Sequence, residues 1–126
     1  MSGKVLKGLL IDPEKREISE VEIPVGEDGS CLNGMYRAIG CSAVDVGRGG
    51  LRYLPNHPED DVWFDDEGLF SDCKYSFKLP GWVPLIGRGL ILGFNDEGDS
   101  VDHTLKPKDV QVLRLTIMWG RQIPES

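Results

Sequence analysis

The chain has 126 residues, 40% of them apolar, and a formal net charge of -7 from 21 acidic and 14 basic side chains, a length that buries one core without staples. The acidic excess opposes the phosphates of nucleic acid, no apolar run approaches the roughly 18 residues that span a bilayer, and three cysteines cannot pair completely. We therefore expect one soluble, cytoplasmic domain over residues 1–126 with reduced thiols, no signal peptide, no direct nucleic acid or membrane contact, and neither metal nor cofactor.

The first element reads as a hairpin. Val5 to Ile11 is an apolar strand, Asp12-Pro13-Glu14-Lys15 a turn, and Glu17 to Ile23 the returning strand, whose imperfect alternation leaves room for a bulge before Pro24 ends it. After the loop Gly26 to Gly29, Ser30 suits a helix N-cap. Leu32, Met35, Tyr36 and Ile39 fall at the spacing of one apolar helix face, and Gly40 suits a left-handed C-terminal cap, which predicts a helix over 31–39 packed on a sheet. Cys41 to Val46 reads as a short strand. Gly47 to Pro58 is an irregular loop rich in breakers, functional or mobile, and Ser71 to Pro84 is a second loop carrying Tyr75, Phe77 and Trp82.

A near-repeat follows. Val62-Trp63-Phe64-Asp65-Asp66-Glu67-Gly68-Leu69-Phe70 is echoed by Leu92-Gly93-Phe94-Asn95-Asp96-Glu97-Gly98-Asp99-Ser100, each reading as strand, acidic turn and strand, so hairpins are expected over 61–70 and 88–102. No Lys or Arg interrupts either acidic stretch, between Arg52 and Lys74 or between Arg88 and Lys106. If both turns stand at one end of a sheet, Asp65, Asp66, Glu67, Asp96, Glu97 and Asp99 form a concentrated negative surface able to imitate nucleic acid phosphates and face a basic partner. Solvated hairpin tips are the plainer alternative.

Pro84 to Gly93 brings a turn into a strand, Leu90 to Gly93, too apolar for an edge. Arg88, between Gly87 and Gly89, can hold a phosphate or carboxylate bidentately, with Tyr53, Trp63 or Trp82 stacking on the ligand and His103 nearby; pairing with one of the many carboxylates is the alternative. At the end, Lys106-Pro107-Lys108-Asp109 opens a short helical turn near 106–111, and the alternation of Leu113, Leu115, Ile117 and Trp119 predicts a strand to about 119, with a longer helix as the alternative. The fold class is α+β, a mostly antiparallel sheet with one main helix and long irregular loops.

Catalytic signals are sparse. His57 precedes Pro58 and Glu59, His103 sits between Asp102 and Thr104, and Cys73 has no signature around it, so no catalytic residue is assigned and a small hydrolase using a histidine with Cys73 stays an alternative. Asp65-Asp66-Glu67-Gly68 lacks the alternating ligand spacing of a calcium loop, so no metal is assigned.

The segment Leu9 to Ile18, the Asp65 to Leu69 turn and above all Gly87-Arg88-Gly89-Leu90-Ile91-Leu92-Gly93 with Asn95-Asp96-Glu97-Gly98-Asp99 resemble a family of small uncharacterised proteins of phages, plasmids and other mobile elements. The resemblance covers about half the chain and implies a small α+β accessory domain with no activity to carry over. The chain departs from it at Gly47 to Pro58 and at Ser71 to Trp82. Three readings follow: a non-enzymatic protein that binds and inhibits a host (defence) protein with a basic surface; a homo-oligomer that sequesters a small anionic, nucleotide-like ligand; and a small hydrolase.

Overall fold

The computed structural model describes residues 4–68 and 72–121. Strands β1 (Val5–Asp12) and β2 (Glu17–Pro24) pair antiparallel in one-to-one register from Val5↔Pro24 to Asp12↔Glu17, without the bulge that the sequence allowed. Their turn is set by Asp12, whose Oδ1 accepts the N–H groups of Glu14 at 3.0 Å and Lys15 at 3.3 Å.

Helix α1 (Leu32–Ile39) ends at Gly40, left-handed at φ 81, whose N–H returns to the Tyr36 carbonyl. Its inward face is Met35 and Ile39, with Gly34 seated against β2. Leu32, expected inside, opens the first turn and is 37% exposed. Cys31 rather than Ser30 holds the N-cap position, while the Ser30 hydroxyl accepts the Leu32 N–H.

Strands β3 (Val44–Gly47), β4 (Asp61–Asp65), β5 (Tyr75–Lys78), β6 (Leu85–Ile86), β7 (Gly89–Phe94) and β8 (Ser100–Val101) lead to helix α2 (Pro107–Thr116) and strand β9 (Met118–Arg121). The larger sheet has six strands in the order β2-β1-β7-β4-β3, with β8 on β7, and the smaller has three, β6-β5-β9; every pairing is antiparallel. The chain is therefore an α+β protein built mainly of sheet. β7 is central and buried from Gly89 to Gly93, as its apolar run predicted.

Alternation along these strands sorts the core into two layers. Leu6, Leu90, Leu92 and Trp63 pack with Ile23 against Met35 and Ile39 of α1. On the other face Leu9, Ile11, Ile91 and Val62 meet Leu51, Leu54, Phe77, Leu113 and Ile117. Hence the segment Gly47 to Pro58, expected as an irregular loop, contributes two fully buried leucines, and Ser71 to Pro84, expected as a second loop, contains β5.

Two expectations are corrected and a third lies partly outside the described residues. Of the hairpin expected over 61–70, Asp61 to Asp65 forms β4, paired with β3 on one edge and β7 on the other, and the strand expected at Leu69 and Phe70 lies outside the described residues. Residues 107–116 form the longer helix, with Pro107 in its first turn and Asp109 and Leu113 buried on one side, so the apparent alternation to Trp119 leaves Leu115 79% exposed. The second correction concerns the condition that both acidic turns stand at one end of a sheet. Phe64 pairs with Gly89, at the start of β7, whereas Phe94 ends that strand, so antiparallel pairing sends the turns after Phe64 and after Phe94 to opposite ends of the sheet.

Candidate functional site

One end of the larger sheet gathers residues from five parts of the chain. Gly87, left-handed at φ 89, donates its N–H to the Tyr75 carbonyl at 2.9 Å, and the chain then enters β7 through Arg88. Because Ile11 pairs with Gly89, Asp12 is brought beside Arg88, whose Nε stands 3.7 Å from Asp12 Oδ2. Arg88 Nη1 also donates to the Ala38 carbonyl at 3.4 Å, at the C-terminus of α1, where unpaired carbonyls favour a cation. Asp12, Pro13, Glu14, Ile39, Gly40, Asp65, Cys73, Tyr75, Gly87 and Arg88 line a cleft of about 250 Å³ there.

Three carboxylates, the negative end of α1 and one guanidinium share this cleft. Burial, reinforced by the Asp65 charge, pushes the Cys41 thiol above its ordinary range. An incoming anion meets Arg88 already engaged by Asp12. A cationic group meets Glu14 and Asp65, whose carboxylates have no ion pair among the described residues. The neighbouring turn adds to them: Glu67 donates its N–H to Asp65 Oδ1 at 2.9 Å and Asp66 to the Ala43 carbonyl at 3.1 Å, leaving the Asp66 and Glu67 side chains exposed.

The turn after Phe94 is tied internally in the same way, with Asn95 Oδ1 accepting the N–H groups of Glu97 and Asp99. Asp96, Glu97 and Asp99 are exposed at the far end of the sheet, away from Asp65.

The other residues singled out in the sequence are dispersed. An added Cβ on Gly89 would lie 2.5 Å from the Phe77 ring, so Gly89 admits close packing, and the Trp82 ring covers Gly47 and Gly50. Trp63 packs on the α1 side, and its Nε1 is buried with no hydrogen-bond partner among the described residues. Tyr53 shares a hydrogen bond of 2.5 Å with Thr116 Oγ1, and His103 Nε2 lies 3.1 Å from Glu20 Oε2. Only Gly87 and Arg88 of that group meet in the cleft. Cys73 lines it without either histidine; His57 instead bonds to the Arg52 carbonyl through Nδ1 at 2.9 Å. Asp12, Glu14 and Tyr75 had no local signal for a site, since β1–β7 pairing and the second sheet bring them there.

Among the described residues no helix is long and apolar enough to cross a membrane. A family model described as a domain of unknown function (DUF3846) matches residues 6–114. No curated protein and no solved structure matches the chain.

Proposed function

We propose that the chain, which belongs to the DUF3846 family, is a non-enzymatic accessory protein of a phage or other mobile element that binds and inhibits a host protein through an acidic surface. The observation that carries this reading is the convergence of Asp12, Glu14 and Asp65 on one cleft, with Asp66 and Glu67 exposed beside it and the C-terminus of α1 at its wall. Carboxylates placed this way raise the local concentration of a cationic partner and speed its encounter. A cleft of about 250 Å³ is the size of one long basic side chain with its first waters rather than of a large cofactor. Defence proteins that grip nucleic acid carry the basic surfaces such a face would occupy. The mobile-element origin rests on the Gly87 to Gly93 and Asn95 to Asp99 resemblance.

The opposite placement of the two acidic turns supplies the test. One variant carries Asp65→Asn, Asp66→Asn and Glu67→Gln; the other carries Asp96→Asn, Glu97→Gln and Asp99→Asn. Each removes three charges from a net charge of -7. Partners captured from host lysate by the wild type are identified by mass spectrometry, and their association rate is followed against salt. The first variant should associate more slowly with a flatter salt dependence, and the second should behave closer to wild type. Equal behaviour of both variants and the wild type rejects the reading.

A further inference from the structure

A second cavity lies on the other side of the β1–β2 turn. Arg16, at the end of the turn, and Glu17, Ile18 and Ser19, at the start of edge strand β2, line with Arg114 of α2 and Trp119 of β9 a groove of about 470 Å³. Arg114 Nη2 donates to the Ile18 carbonyl at 2.9 Å, which holds its guanidinium at the groove. Among the described residues neither Arg16 nor Arg114 has a carboxylate at salt-bridge distance, whereas Arg48, Arg52 and Arg88 each do. Arg37 and Arg121 also lack such a partner among the described residues, but only here do two such guanidiniums line one groove.

Backbone strain points to the same place. Arg16 is left-handed at φ 54, a conformation that favours glycine and strains any other residue. The strain puts a guanidinium where glycine would serve the turn better.

We propose that this groove binds a nucleoside phosphate. Two guanidiniums supply forked donors for the phosphate oxygens, the Trp119 indole a stacking surface for the base, and the Glu17 carboxylate and Ser19 hydroxyl acceptors for ribose hydroxyls. The volume lies within the range of small-molecule sites. A bare phosphate would use the arginines alone, and a neutral nucleoside would leave them unmatched. The site is separate from the acidic cleft and does not depend on how that cleft functions.

Arg16→Gly is the decisive variant, because glycine accepts the left-handed backbone while removing the guanidinium. Calorimetric titration at low salt uses AMP, GMP, CMP and UMP, with adenosine and inorganic phosphate as partial ligands. At least one nucleotide should bind about tenfold or more tightly than either partial ligand, since charged hydrogen bonds and base stacking each contribute on that scale. Arg16→Gly should weaken that binding by about tenfold or more while leaving the melting temperature unchanged or higher, and Arg16→Lys should not restore it. Absence of binding by all four nucleotides overturns the proposal. So does wild-type affinity in Arg16→Gly, or inorganic phosphate binding as tightly as a nucleotide.

Discussion

Arg88 ties Asp12 to the C-terminus of α1: its Nε lies 3.7 Å from Asp12 Oδ2 while its Nη1 donates to the Ala38 carbonyl at 3.4 Å. One side chain at the mouth of β7 thus joins β1, β7 and the helix. Its side chain is 42% exposed, so solvent screens the ion pair. We expect Arg88→Ala to lower unfolding stability by about 1 kcal/mol, with partial recovery in Arg88→Lys, which keeps the charge near the helix end. Urea midpoints measure this; an unchanged midpoint in the alanine variant would show that the tie contributes nothing.

Asp109 fastens α2 to the segment before β4. It is fully buried, and its carboxylate accepts the N–H of Asn56 at 2.9 Å, the Asn56 side-chain amide at 3.1 Å and the Lys106 N–H at 3.0 Å. Burial alone would raise its pKa, but these hydrogen bonds and the Lys106 charge outweigh it and hold the group below the usual carboxylate range. The stability this contributes is complete above the unfolded carboxylate's pKa and is lost as pH falls through the lower folded value. Asp109→Asn should cost about 1–3 kcal/mol at neutral pH and flatten the acid limb of stability against pH. A variant as acid-sensitive as the wild type would contradict this assignment.

Asp61 should show the opposite sign. Its side chain is only 5% exposed, Oδ1 lacks a hydrogen-bond partner among the described residues, and Arg48 Nε lies 3.7 Å away. Burial pushes its pKa up; the Arg48 charge opposes the shift and Asp60 adds to it. A carboxyl raised on folding destabilises the native state once both states are ionised, and this penalty fades as pH falls through the folded value. At neutral pH, Asp61→Asn should therefore leave stability unchanged or raise it by up to about 1 kcal/mol. Denaturation showing a clear loss would mean that the Arg48 pair outweighs the burial cost.

Trp82 covers two glycines, and an added Cβ on Gly50 would stand 2.3 Å from its ring. Because Trp82 also packs against the larger core cluster, Gly50→Ala should displace the indole and cost about 1–3 kcal/mol. Near-ultraviolet circular dichroism and thermal melting report both effects together. An unaltered aromatic spectrum with wild-type melting would show that the ring shifts without cost.

Much of the local structure is legible in consecutive residues. Asp12-Pro13 sets the first turn, the spacing of Met35 and Ile39 with Gly40 sets α1 and its end, and the apolar run of Leu90 to Leu92 marks the central strand. At the end of the chain two periods compete: Leu113, Leu115, Ile117 and Trp119 alternate, yet Pro107 and the buried Asp109 and Leu113 favour a helix. Packing against the core decides between them, and it leaves Leu115 in solvent.

The site divides along the same line. Gly87 and Arg88 stand out in the sequence because glycines flank a guanidinium, and the acidic turns stand out by composition. Which carboxylates meet Arg88 depends on Ile11 pairing with Gly89, and the separation of the two acidic turns depends on β4 lying antiparallel to β7. Turn chemistry and periodicity act over a few neighbouring residues, so the sequence by itself determined the elements and their charge. Strand order is chosen by burial and hydrogen bonding between distant segments, so only the tertiary structure decided which charges face one another.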